Sequence, residues 1–259
     1  ADSESYASGE LEAAVNLARL FDICHEVVET RELDNPDYAS NPINRCYFCK
    51  SELFDHMERL AREKDVPFIL YGQNVDDVGD FRPGAQAAQE RGVRAPLQEA
   101  GFTKDDVRAL ARRWEIPVWD RPAMACLSSR ICYGTPVTVK ALKMIDRAEA
   151  YLRSRGFEQL RVRHHATVAR VELPEDELEL LLHSGTAMEQ LARELVAEIG
   201  YERCGLDLRG FRSGSMNEVL LEKADSSAPP TDTPEIESEK VEGVLMLQIR
   251  NLERLADAE

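Results

Sequence analysis

The chain has 259 residues, 43% of them hydrophobic, with six cysteines and a formal net charge of −16. That length suits one large domain or two smaller ones, and the acidic balance argues against a general nucleic-acid surface. No run of about 18 or more apolar residues indicates a membrane span. No secretory leader is visible, and the cysteines are too few and too scattered for a disulfide scaffold. A cytoplasmic, reducing setting is therefore expected, in which grouped thiols suggest metal or redox chemistry.

The chain opens on a helix over 8–21, with Leu11, Ala14, Val15, Ala18 and Phe21 at helical spacing. A short strand is expected over 26–29 and a loop over 35–42. Next comes NRCYFCK, with Cys46 and Cys49 in a C-x2-C spacing at the start of a helix running to about Lys64. This is a zinc or redox spacing. No second pair stands nearby and His56 is the one close histidine, so helix-start packing or pocket lining outweighs zinc. VPFILY, 66–71, reads as a buried parallel strand. After it, GQNVDDVGDFRPG places Gly72, Asn74, Asp76 and Asp77 at a strand's carboxyl end, where amides and carboxylates can meet a nucleotide or its magnesium. The same residues also make an ordinary polar turn. Helices are expected over 84–92 and 103–114, the second with a Thr103 cap and Asp105 and Asp106 in its first turn, then a short edge strand over 116–119. Helices alternating with short apolar strands indicate an α/β layer with a parallel sheet.

The stretch PAMACLSSRICYGT, 122–135, is written as a loop. It holds Cys126, Cys132, Ser128, Ser129 and Arg130, which can set sulfur beside a bound anion; the alternative is a turn with half-buried thiols. From Arg121 to Arg170 there are ten Lys/Arg against three acids, a local excess of seven in an acidic chain. That field points to a small anionic ligand. A helix is expected over 138–156 and strands over 160–163 and 166–172. On a strand, Arg161 and Arg163 share a face and can grip one phosphate or carboxylate, whereas His164 and His165 point apart. Two acidic helices follow, 174–182 and 185–199, then Cys204 in a strand-like run and a turn carrying Arg212. A flexible linker is expected over 223–240 and a C-terminal helix over 241–259.

Four runs in order, NRCYFCKSELF, GQNVDDVGDFRPG, Cys-Leu-Ser-Ser-Arg-(x)2-Tyr-Gly-Thr and LRGFRSGSMNE, resemble the LarE family of PP-loop ATP pyrophosphatases. The resemblance covers nearly all of residues 10–218. It implies a Rossmann-like (adenine nucleotide alpha hydrolase-like) parallel-sheet PP-loop domain, 1–121, and a smaller α/β sulfur-transfer and substrate domain, 122–222. The family's Ser-Gly-Gly-x-Asp-Ser phosphate loop and first strand are not in this chain and are expected upstream of it. The implied activity is an ATP-dependent sulfurtransferase. Magnesium ATP adenylates a carboxylate of pyridinium-3,5-biscarboxylic acid mononucleotide, and sulfur displaces AMP to leave a thiocarboxylate.

Cys126 aligns with the family's sulfur-carrying cysteine. Cys126, Cys132 and Cys204 resemble the three ligands of the family's iron–sulfur form, a 4Fe–4S cluster with one open iron; in the other form Cys126 sacrifices its own sulfur and becomes dehydroalanine. Ser128, Ser129, Arg130, Arg161, Arg163 and Arg212 are the expected substrate-phosphate grip. Gly72, Asn74, Asp76, Asp77, Glu149 and Glu172 are the expected nucleotide and magnesium residues. A homo-oligomer is expected, with an unidentified sulfur donor and no nucleic-acid or membrane partner. The rivals are an amide-forming, NAD synthetase-like PP-loop ligase, which gives the thiols no role, and a truncated nucleotide- or metal-binding module.

Overall fold

The computed structural model describes residues 1–79, 82–122 and 124–212, and the backbone of 244–247. These form two units. One comprises Ala1–Cys126 and Tyr133–Val139, the other Leu127–Cys132 and the described residues from Lys140 onward. The chain leaves the first unit at Cys126, contributes six residues to the second, and returns at Tyr133.

The first unit is helical: α1 (Glu10–Leu20), α2 (Pro36–Ala39), α3 (Arg45–Glu63), α4 (Pro83–Glu90), α5 (Pro96–Glu99) and α6 (Lys104–Arg113). Thr103 caps α6 as read: its hydroxyl accepts the Asp106 N–H while Asp106 accepts the Thr103 N–H. The small core joins Phe54 of α3 to Ala87 and Ala88 of α4 and to Val93, with Tyr47, Met57, Ile69 and Tyr71 against it. Gly84 allows the close approach of α4 to α3, since a Cβ there would sit 2.9 Å from Lys50 Cγ. The strands expected at 26–29 and 66–71 appear only as single parallel bridges, Asp2–Glu29 and Leu70–Arg94. Val66, Phe68 and Leu70 are exposed, so VPFILY is not the buried strand its composition suggests. Residues 116–119 form turns rather than an edge strand.

The second unit packs α7 (Val139–Ser154), α8 (Glu175–Leu182) and α9 (Gly185–Arg193) with a four-stranded sheet, β1 (Arg161–His165), β2 (Val168–Glu172), β3 (Arg203–Asp207) and β4 (Val244–Leu247). β1 and β2 are antiparallel, β2 and β3 parallel through the α8–α9 crossover, and β3 and β4 antiparallel. One sheet face is apolar. Val162, Ala169, Val171, Cys204 and Leu206 join Ala148 and Leu152 of α7 and Leu178, Leu191 and Leu195 in a continuous core. The alternate residues Arg161, Arg163, His165, Arg170, Glu172 and Asp207 fall on the other face. The helix expected over 241–259 is corrected in part, because Val244–Leu247 pair as a strand with β3; the rest of that segment and the 223–240 linker lie outside the described residues. The model is thus mixed α/β, and among the described residues no helix is long and apolar enough to cross a membrane.

Candidate functional site

In the first unit the site grows from the start of α3. The chain after Tyr133 lies on the approach to that helix: Gly134 N–H donates to Asn41 O at 2.9 Å, Val137 N–H to Ala39 O at 2.8 Å, and Asn41 Nδ2 to Thr135 O at 2.9 Å. Gly134 has φ +82°, the left-handed backbone glycine adopts without strain. Arg45, almost fully buried, donates to Asn41 Oδ1 and to the Cys46 sulfur. Burial works against its charge, but negative charge on the surrounding Cys and Tyr side chains would more than offset this, and its pKa is raised. Cys46 and Cys49, three residues apart, share a face of α3. Protein packed around the Cys46 sulfur and the Cys126 thiolate push the Cys46 thiol up, and Arg45 opposes them. Burial, then Glu32 and Cys126, push Cys49 up to about 12. Tyr6 and Tyr133 also feel Cys126. Cys46 and Cys49 thus form a thiol pair at the start of α3, the first of them hydrogen-bonded to a buried guanidinium. Sequence reasoning left Cys46 and Cys49 unassigned and missed Arg45 and Tyr6; the signal was the Arg-Cys pair opening a helix.

A cleft of about 390 Å³ opens beside the start of α1, lined by Asp2, Tyr6, Ser8, Gly9, Glu10 and Val27 among others. The Gly72–Asp77 turn is tied within itself and to α6. Asn74 Oδ1 accepts the Asp76 N–H, Asp77 accepts the Asn74 N–H, Asp76 accepts the Lys104 N–H at 2.7 Å, and Asp77 pairs with Arg82 at 2.8 Å. It is a polar turn that still presents the exposed Asp76 carboxylate.

In the second unit most of the expected phosphate grip is spoken for. Arg130, 0% exposed, forms a fork–fork pair with Glu149, at 2.8 and 2.9 Å. Glu149 also accepts from Arg153 and from the Val162 N–H. Burial alone would raise the Glu149 carboxyl, but these donors outweigh it and hold it below the usual carboxylate range. Arg163 forks onto Glu172 and donates to Ser129 O, and Glu172 also takes Arg170. Ser128 is buried. Four of the expected site residues thus meet as two buried ion pairs, Arg130 with Glu149 and Arg163 with Glu172.

Arg161 differs. It stacks on the Phe211 ring at 5.2 Å and donates to Leu160 O. Burial, then the neighbouring Arg130 cation, lower it to about 10, a cation-crowded place that an anion relieves. Arg212 follows Phe211 in the chain, so Arg161 and Arg212 are the expected pair that the fold brings to one locality.

The three cysteines expected to hold a cluster stand in unlike surroundings. Cys204 lies in the apolar core and burial pushes it up to about 12, the state of an inert structural thiol. Cys132 contacts His165 Nδ1 at 3.4 Å, and His165 falls on the opposite, charged face. Burial and the surrounding cations lower His165 to about 4. Cys132 and Cys204 thus lie on opposite sides of one sheet. Among the described residues no group of three or more Cys, His, Asp or Glu is placed to hold a metal ion.

These features define a two-unit α/β protein that combines a thiol set with an arginine-lined sheet. No family model matches the chain. It is 43% identical over 218 residues to an uncharacterized protein of Synechocystis, covering 84% of this chain and 81% of that one. It is 35% identical over 221 residues to the pyridinium-3,5-bisthiocarboxylic acid mononucleotide synthase of Lactiplantibacillus plantarum, covering 85% of this chain and 78% of the relative. An uncharacterized protein of Methanocaldococcus jannaschii is 25% identical over 173 residues, 67% of this chain and 66% of the relative. The chain belongs to the family of pyridinium-3,5-bisthiocarboxylic acid mononucleotide synthases, the LarE family.

Proposed function

We propose that this protein is an ATP-dependent sulfurtransferase that converts a carboxylate of pyridinium-3,5-biscarboxylic acid mononucleotide to a thiocarboxylate. The observation that carries the reading is the 35% identity over 85% of the chain to a synthase of that product. We read the first unit as a Rossmann-like nucleotide-binding domain, supported by its two parallel bridges, Asp2–Glu29 and Leu70–Arg94. ATP sits in the cleft at the start of α1, where Ser8 and Gly9 approach the helix N-terminus. Magnesium, when bound, would neutralise triphosphate charge; Asp76 and Asp77 would hold it, since this ion takes one or two carboxylates plus substrate phosphates. Arg161 and Arg212 hold the substrate phosphate.

Cys126 is the nucleophile. Carboxylate oxygen is a poor leaving group and AMP a good one, so activation precedes sulfur attack. The protein presented with the mononucleotide and magnesium ATP should form AMP and a product in which sulfur replaces oxygen, read by mass spectrometry. Cys126→Ala should abolish sulfur incorporation. Product formed intact by Cys126→Ala would exclude this reading and favour an amide-forming ligase.

A further inference from the structure

The cleft at the start of α1 has walls that do not by themselves suit a triphosphate. Asp2, Glu10 and Glu26 bring three carboxylates to its lining, and among the described residues no arginine or lysine lines it. Like charges so placed repel an anion unless cations accompany them. Two cations reach these carboxylates from elsewhere in the first unit. Lys64, at the end of α3, pairs with Glu26, and Arg121, from the far end of the unit's chain, pairs with Glu10. Glu10 is the first residue of α1 and follows Ser8 and Gly9. Arg121 is therefore held at the end of the cleft where the first N–H groups of the helix favour phosphate. It is held lightly. Its side chain is 41% exposed and that of Glu10 27%, and an ion pair so open to water contributes little. A guanidinium on a phosphate makes two parallel charge-assisted bonds, to a group with more negative charge than one carboxylate.

We infer that Arg121 is a phosphate ligand of the nucleotide: on binding, its guanidinium leaves the Glu10 carboxylate for the triphosphate. The inference rests on the reading of this cleft as the ATP site. No covalent bond changes in the exchange. In the empty cleft the pair neutralises part of an acidic wall. In the filled cleft Arg121 has the phosphates as its counter-charge, and the partly exposed Glu10 carboxylate turns to water. Glu10 thus competes with the nucleotide for one guanidinium, so removing Glu10 and removing Arg121 act on affinity with opposite sign. A fixed structural pair would make both changes act alike. Arg121 also stands five residues ahead of Cys126 within the first unit, so one stretch of chain carries both the phosphate ligand and the nucleophile.

The test is a calorimetric titration of the whole protein with magnesium and α,β-methylene-ATP, in which carbon replaces the bridging oxygen so that AMP transfer is blocked. Hydrogen exchange at saturation locates the ligand. Arg121→Met should weaken binding by about tenfold or more, the loss of two charge-assisted bonds, and Arg121→Lys should recover part of it. Glu10→Gln should tighten binding by about two- to fivefold, the worth of an exposed ion pair. Added salt should weaken the wild type more steeply than Arg121→Met. Because both side chains are partly exposed, the urea midpoints of these variants should match that of the wild type, which separates lost affinity from lost folding. Equal affinity of the wild type and Arg121→Met overturns the proposal and leaves the cleft reading standing. Binding by Glu10→Gln no tighter than by the wild type also overturns it, since the carboxylate then does not compete. A wild type whose exchange at the start of α1 is unmoved by the nucleotide removes the cleft reading, and the proposal with it.

Discussion

At the residue scale the decisive fact is which charges are already matched. Arg130 and Glu149 are both fully buried and joined twice. Glu149→Gln leaves the guanidinium without its counter-charge and should cost about 3–5 kcal/mol in urea unfolding. Replacing both at once, Arg130→Met with Glu149→Leu, should cost far less, since an apolar pair of similar volume removes both desolvation penalties. The pair also sets a pH dependence. The folded Glu149 carboxyl titrates below its unfolded value, so its contribution is complete above the unfolded carboxylate pKa and is lost as pH falls through the folded one. The stability gap between the wild type and Glu149→Gln should therefore close in acid. A gap below about 1 kcal/mol at neutral pH, under the cost of even an exposed cap, would remove the structural role assigned here. Arg161, crowded by cations and stacked on Phe211, is the complementary case, a guanidinium whose surroundings favour an incoming phosphate.

At the scale of elements, period and caps were legible and partnership was not. The α6 cap could be read from Thr103 and Asp106, and the α7 and β1–β2 segments from their spacing, because local chemistry decides them. The shared face of Arg161 and Arg163 followed from strand alternation alone. Alternation also sets Cys204 with Leu206 against Ala169 and Val171, but one strand's sequence does not say which face meets the core. The pairing of the chain after Tyr133 with Ala39 and Asn41 was illegible for the same reason: the hydrogen bonds of Asn41 with Gly134 and Thr135 span more than ninety residues that no spacing announces. VPFILY misled because apolar composition marks a strand's propensity and not what covers it. The placement of β3 makes a prediction. Cys204→Ala trims a buried sulfur and should lower stability by about 1 kcal/mol, within the range of small core truncations, while sulfur incorporation into product stays intact. Loss of sulfur chemistry in a folded Cys204→Ala would give Cys204 a part in the reaction, as the cluster expectation has it.

Over the whole molecule, burial is divided unequally. The second unit has a continuous core running from Met144 through β1–β3 to Leu206, whereas the first closes a small cluster around Phe54, Ala87, Ala88 and Val93. Apolar area removed from water is the main favourable contribution to folding, so the units should open at different free energies and equilibrium unfolding should not be two-state. Hydrogen exchange on the full chain, read by mass spectrometry, resolves this. Amides of β1 and β2 and the middle of α7 should exchange slowest. The Ile69–Arg94 and Tyr71–Arg94 backbone pairs should exchange much sooner, because Phe68 and Leu70 beside them remain more than half exposed. Binding stabilises whichever state holds the ligand, so ATP in the α1 cleft should slow exchange in the first unit and leave β1–β3 unchanged. Equal protection of 69–71 and 161–172 without nucleotide would show that the first unit is buried by contacts other than those described. Slowing in β1–β3 but not at α1 would move the nucleotide to the second unit.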